Sequence, residues 1–96
     1  MVPEFPGGPR EFAKYVAKNL AYPAAAKQNN IQGKVYVSFI VEKDGQLTDI
    51  KVKQGIGAGC DEEALRLLRT SPKWRPGLIK EHPVRTFFVL TVTCQQ

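Results

Sequence analysis

Thiol and imidazole chemistry in this chain rests on Cys60, Cys94 and His82 alone. Neither cysteine has a C-x-x-C partner, and one histidine cannot complete a tetrahedral zinc set with them. They are either two free thiols or one disulfide. His82 has no second imidazole to work with and reads as a surface residue beside Pro83. The Glu42–Gln46 stretch has the polarity of a calcium loop, but a two-residue turn cannot supply that ion's oxygen ligands. Gly55–Gly59 lacks both the G-x-G-x-x-G pattern and the G-K-[S/T] ending of a phosphate cradle. No catalytic, metal or cofactor constellation is therefore expected, and the chain does not read as an enzyme. The chemistry left over belongs to the backbone. Val84, Thr86, Phe88, Leu90 and Val92 fall on one face of a strand-like run, and Arg85, Phe87, Val89, Thr91 and Thr93 on the other. Arg85 is its one charge, and it holds no proline or glycine. Soluble proteins usually blunt such a strand when it lies at a sheet edge. Left open, the edge can take up another chain's peptide by strand addition; otherwise the C-terminal tail or a second copy covers it.

The elements that must position this strand follow from periodicity. After a Pro/Gly-rich entry loop over residues 1–9, the domain proper spans 10–96. Phe12, Val16 and Leu20 recur at helical spacing with Tyr15 beside them and Lys14 and Lys18 opposite. Tyr22-Pro23 stops that helix, and Pro23 opens a short second one ending near Asn29-Asn30. Residues 33–54 read as two alternating strands joined at Asp44-Gly45, a favoured type I′ hairpin dipeptide. That turn would set Lys43 opposite Gln46, Phe39 opposite Ile50, Val37 opposite Val52 and Val41 opposite Thr48. Tyr36, Ser38 and Ile40 would face Lys53, Lys51 and Asp49. Gly55–Gly59 reads as a flexible connector. A third helix follows, with Asp61, Glu62 and Glu63 in its first turn and Arg66 and Arg69 in its last, a charge order that suits the helix dipole. Ala64, Leu65 and Leu68 form its stripe, with Leu67 on the flank. Trp74, between Pro72 and Pro76, is expected to plug the corner before the last strand.

This order makes an α+β fold: a three-stranded antiparallel sheet, order 2-1-3, with helices on one face and the last strand at an edge. The second and third strands then run parallel, which puts Cys60 and Cys94 at the same end of the sheet, though with the central strand between them.

Ninety-six residues suffice for one domain. Nothing approaches the ~20 consecutive apolar residues of a membrane-spanning helix, and Met1 is followed by Pro/Gly-rich sequence with no apolar leader. The net charge of +5 is spread along the chain and forms no recognition helix or stacking motif. Nucleic-acid binding across the sheet is the alternative from another class, and Tyr36 and Phe87 are its only strong aromatic candidates. The partner expected is a peptide and no nucleic acid, with a homodimer through the same edge as the structural alternative.

The chain carries "PEFPGG", Tyr22-Pro23 before the first strand, the run "GKVYVSFIVEKDG", "DEEAL" and "WRPG". In this order and spacing these motifs resemble the C-terminal domain of TonB, in the form found in Bacteroidetes-type bacteria. The resemblance covers nearly the whole chain. It implies a periplasmic coupling domain, excised here from a longer protein. An N-terminal membrane helix would engage an inner-membrane proton-driven motor, and a Pro-rich spacer would cross the periplasm. The domain would grip the TonB box of an outer-membrane transporter beside the last strand and transmit force for nutrient uptake, iron complexes included. Residues around the Tyr-Pro motif, Asn19, Leu20, Ala21, Tyr22 and Pro23, are expected near the bound box. Asn19, Leu20 and Ala21 stand where the best-known enterobacterial members carry glutamines. An oxidising periplasm favours a Cys60–Cys94 bridge; the intervening strand argues against it.

Overall fold

A computed structural model describes residues 1–95. Helix α1 spans Pro9–Asn19, with Pro9 in its first turn, where a missing N–H costs nothing. Val16 is buried and Phe12 and Tyr15 are half-buried, while Lys14 and Lys18 face water. The helix ends before the Tyr-Pro stop, because Leu20 already adopts extended backbone. Helix α2 (Ala24–Gln28) follows.

The central strand β1 (Gly33–Val41) turns Val35, Val37, Phe39 and Val41 into the core, all fully buried. It pairs antiparallel with β2 (Leu47–Gln54) on one side and with β5 (Thr86–Cys94) on the other. The sheet order is β2-β1-β5, the expected 2-1-3 arrangement. Helix α3 (Cys60–Arg69) lies over the sheet. It buries Cys60, Ala64, Leu67 and Leu68, so Leu67 belongs to the stripe and half-buried Leu65 to its flank.

The β1–β2 register departs from the simple hairpin. The Gly45 N–H donates to the Glu42 carbonyl and the Glu42 N–H to Gln46, both at 2.9 Å, so Glu42, not Lys43, lies opposite Gln46. Lys43, Asp44 and Gly45 form a three-residue loop closed by Gly45 at φ 90°. The shift moves Val41 onto Leu47 and Ile40 onto Thr48. A bulge near Asp49 (φ 51°) then restores the expected pairs Ser38–Lys51 and Val37–Val52, and a second slip pairs Tyr36 with Gln54.

The stretch between Trp74 and β5 holds a small hairpin that periodicity does not reveal. Its strands are β3 (Gly77–Ile79) and β4 (His82–Val84). Lys80 and Glu81 both take positive φ, the type I′ pattern without the glycine or asparagine that announces it. His82 and Val84 therefore belong to β4, and the long strand starts at Thr86.

The opening residues are part of the packing. Pro3 and Phe5 are buried, and Glu4 and Arg75 exchange backbone hydrogen bonds at 3.1 and 2.8 Å. Phe5, Phe12, Phe39 and Phe88 surround Trp74, with ring centroids 5.2–6.1 Å away and mostly edge-on geometry. The Trp74 backbone N–H also donates to the Gly45 carbonyl at 2.9 Å. The indole thus ties the entry segment, α1, β1 and β5 together, and the main chain of the same residue holds the hairpin turn.

Cys60 and Cys94 form a disulfide with Cα atoms 6.0 Å apart. The central strand is no obstacle, because Cys60 is not at the end of β2. The connector before it carries the chain across: a Cβ placed on Gly33 would touch Ile56, so the connector lies over the start of β1. Nor is that connector slack. The Asp61 carboxylate accepts from the Ile56 and Gly57 N–H groups at 2.9 and 3.3 Å.

Candidate functional site: the open edge of the sheet

Which backbone groups of β5 are free follows from one hydrogen bond. The Glu42 N–H points at β2, where Gln46 accepts it. Backbone direction alternates along a strand, so Ile40, Ser38, Tyr36 and Lys34 also address β2. Val41, Phe39, Val37, Val35 and Gly33 address β5, where they lie opposite Thr86, Phe88, Leu90, Val92 and Cys94. Those five use their amides and carbonyls on β1. Phe87, Val89, Thr91 and Thr93 turn theirs to the other side, where no strand lies among the described residues. Their side chains share the exposed outer face of the sheet, Phe87 at 63% exposure and Val89 at 45%.

The opposite edge differs in kind. β2 carries both bulges, the left-handed Asp49 and two exposed lysines, Lys51 and Lys53. Bulges and lysines are standard means of keeping a strand edge from pairing. One flank is shut and the other open.

Beside the open edge runs a groove of about 510 Å³. Its far wall is α1, through Phe12, Ala13, Val16 and Ala17, continued by Leu20 and Tyr22. Its near wall is β5, at Thr91 and Thr93, continued by Gln95. The side chains of Thr91 and Thr93 point away from the helices, so their outward backbone meets the groove. Among the described residues, no charged side chain lines it. The Tyr22 hydroxyl is occupied by the Ile31 carbonyl.

Of the residues expected near a partner around the Tyr-Pro motif, Leu20 and Tyr22 line the groove. Asn19 offers its carbonyl to Arg66 at 2.7 Å, Pro23 packs under Gly59, and Ala21 faces solvent. The α1 wall was not foreseen. Its signal is faint but present: Ala13 and Ala17 sit one turn apart, adjoining the apolar stripe.

Arg85 sits where β4 passes into β5 and grips the end of β1. Its guanidinium donates to both carboxylate oxygens of Glu42, at 2.6 and 3.2 Å. This bond, and after it the Thr48 hydroxyl, holds the Glu42 carboxyl below its ordinary value near 4.5. A depressed carboxylate pKa means a contribution to stability that is complete above the unfolded value and disappears as pH falls through the folded one. The pair should therefore persist at pH 5 and break only in more acidic solution. Following the Glu42 side-chain carboxyl by NMR should give a midpoint below 4.5 that rises in Arg85→Ala; an unmoved midpoint would disprove the grip.

Tyr36 (41% exposed) and Phe87, the candidate stacking residues, lie on the outer face of neighbouring strands, opposite Thr91 and Ile40. The rung of Ser38 and Val89 separates them.

No curated protein matches the chain. Two solved structures do, both NMR solution structures of Helicobacter pylori TonB-CTD. The one covering residues 194–285 of that protein is 24% identical, spans 91% of this chain and 94% of its own, and superposes with a TM-score of 0.61. The one covering residues 179–285 is 26% identical over 95% of this chain and 88% of its own, with a TM-score of 0.56. The family model described as Gram-negative bacterial TonB protein C-terminal matches residues 18–93, which take in the Tyr-Pro motif, both strands of the hairpin, α3 and nearly all of β5. The chain belongs to the TonB C-terminal family.

Proposed function

We propose that this domain is the peptide-gripping end of a TonB-type energy transducer. An outer-membrane transporter offers its TonB box, and the box adds as a strand to β5. In the full protein an inner-membrane helix, driven by a proton-powered motor, pulls on the domain, and the load passes through the added strand to the transporter for nutrient uptake. Domains of this family are periplasmic, non-catalytic interaction modules that work with outer-membrane transporters. The observation that carries the finer reading is the outward row of backbone groups on Phe87, Val89, Thr91 and Thr93, which no strand among the described residues pairs and which lies next to a groove walled by the apolar side of α1. Backbone pairing supplies affinity there, and alternate side chains supply selectivity.

The test is a pair of proline substitutions on adjacent residues. Proline removes a backbone donor, and is tolerated in a sheet where that donor faces out of an edge. Val89→Pro takes away an outward amide, so it should remain folded and lose at least about tenfold in affinity for a transporter-derived box peptide. Leu90→Pro takes away an amide spent on β1 and should damage the fold itself. Amide shifts on titration should centre on Phe87, Val89, Thr91 and Thr93. Shifts confined to β2 would rule strand addition on β5 out. So would a concentration-dependent mass without peptide that Val89→Pro abolishes, which would mark the edge as a dimer contact, or oligonucleotide binding with a steep salt dependence and no peptide binding.

A further inference from the structure

We infer that the peptide added to β5 is selected by one bulky apolar side chain, which enters the groove and seats on Ala13 and Ala17 of α1. The inference rests on strand addition and specifies what the added strand must carry. Outward backbone on Phe87, Val89, Thr91 and Thr93 sets the phase of any strand laid there. In an antiparallel arrangement, partner residues opposite these four form the hydrogen-bonded pairs, and their side chains join the outer face. The intervening partner residues, opposite Leu90 and Val92, point to the helix side. That is where the groove lies, since its near wall is the backbone at Thr91, Thr93 and Gln95. A parallel strand alternates in the same way and presents every second side chain to the same space.

The groove's composition states what it accepts. Phe12, Val16, Leu20 and Tyr22 are apolar or aromatic, and among the described residues no carboxylate, ammonium or guanidinium lines the cavity. A charged side chain would lose its hydration there without finding a partner. Ala13 and Ala17 are exposed and short, one helical turn apart on the same wall, and they leave the depth that a larger residue would fill. At about 510 Å³ the space is far larger than a threonine or alanine from the peptide would occupy. The Tyr22 hydroxyl is taken by Ile31, and the polar groups of the β5 wall serve the added backbone, so shape and apolar area on the α1 wall decide which side chain fits. Ala13 and Ala17 also lie outside residues 18–93, the part matched by the family model.

The experiment fills the wall from the protein side and trims the anchor from the peptide side. Ala13→Leu and Ala17→Leu place a good helix former on an exposed helix position, so both should fold with unchanged circular dichroism. The probes are synthetic peptides from the periplasmic N-terminal segments of outer-membrane transporters, with an alanine scan of whichever binds. Expected are a loss of about tenfold or more for the parent peptide on Ala17→Leu, and a similar loss on the natural protein when one bulky apolar peptide residue becomes alanine. The two losses should not add, because they remove the same contact. Parent-peptide affinity within about twofold on both leucine variants, with shifts along β5 intact, would overturn the anchor while leaving strand addition standing. An absence of shifts at Phe87, Val89, Thr91 and Thr93 with every peptide would overturn both.

Discussion

Trp74→Ala should lower the unfolding free energy by about 3–5 kcal/mol in urea melts followed by circular dichroism. The indole is 5% exposed and touches four phenylalanines from four parts of the chain, so the void left behind cannot be closed by a small shift of one neighbour. Phe5 comes from the entry segment, Phe12 from α1, Phe39 from β1 and Phe88 from β5. Truncation strands all of them at once. Domain stabilities are about 5–15 kcal/mol, so the loss is a large share of the whole. A second substitution separates packing from hydrogen bonding. The Trp74 Nε1 group is buried without a partner, so Trp74→Phe keeps an aromatic ring in the corner and breaks no side-chain hydrogen bond; it should cost distinctly less than alanine. A loss below about 1 kcal/mol for Trp74→Ala would show that the corner is held by its backbone contacts to Gly45 and Glu4 alone.

Breaking the Cys60–Cys94 bridge should cost about 4 kcal/mol, the chain-entropy value for a loop closed across 34 residues of sequence. Both half-cystines are fully buried, so Cys60→Ala with Cys94→Ala is the cleaner comparison; serine would add buried hydroxyls that have to find partners. Urea melts with and without reductant should reproduce the difference between the alanine pair and the natural chain. Alkylation of the unfolded, unreduced protein should add nothing to its mass. Two alkyl groups, or a reductant effect under about 1 kcal/mol, would show that the bridge is not formed or does not matter. The bridge and the tryptophan corner are far enough apart in the fold to act on opposite ends of β5: Cys94 closes one end, and Trp74, with the Arg85–Glu42 pair, sits at the other. Their costs should be close to additive.

The architecture was readable where two signals agreed. In β1 the alternation of Val35, Val37, Phe39 and Val41 with polar or amphipathic neighbours predicts one buried face, and that face is fully buried. Turn chemistry was less informative. Asp44-Gly45 marks a reversal, but the same dipeptide serves a two-residue loop and a three-residue one, and the choice moves every downstream pair until a bulge absorbs it. No local cue announces the Asp49 bulge. The β3–β4 hairpin escaped because its turn residues, Lys80 and Glu81, are poor left-handed formers whose conformation is imposed by tertiary context. Strand order alone argues against the bridge because it leaves out the path of the connector, and Ile56 over Gly33 is a contact only the folded chain displays. At the site the edge strand was legible, being apolar, nearly uncharged and free of proline. Which of its residues face outward was not. That depends on the phase of pairing two strands away, at Glu42, and the α1 wall needs the helix's docked position.

The asymmetry between β2 and β5 has a stoichiometric consequence. A sheet with two adhesive flanks can hand each newcomer a fresh template, and growth by head-to-tail stacking then has no natural end. Here the kinks and lysines of β2 make a terminus. Whatever docks on the far side completes the domain's sheet at that side, and a second domain cannot continue the stack through β2. On the proposed strand addition, binding is therefore expected at one peptide per domain.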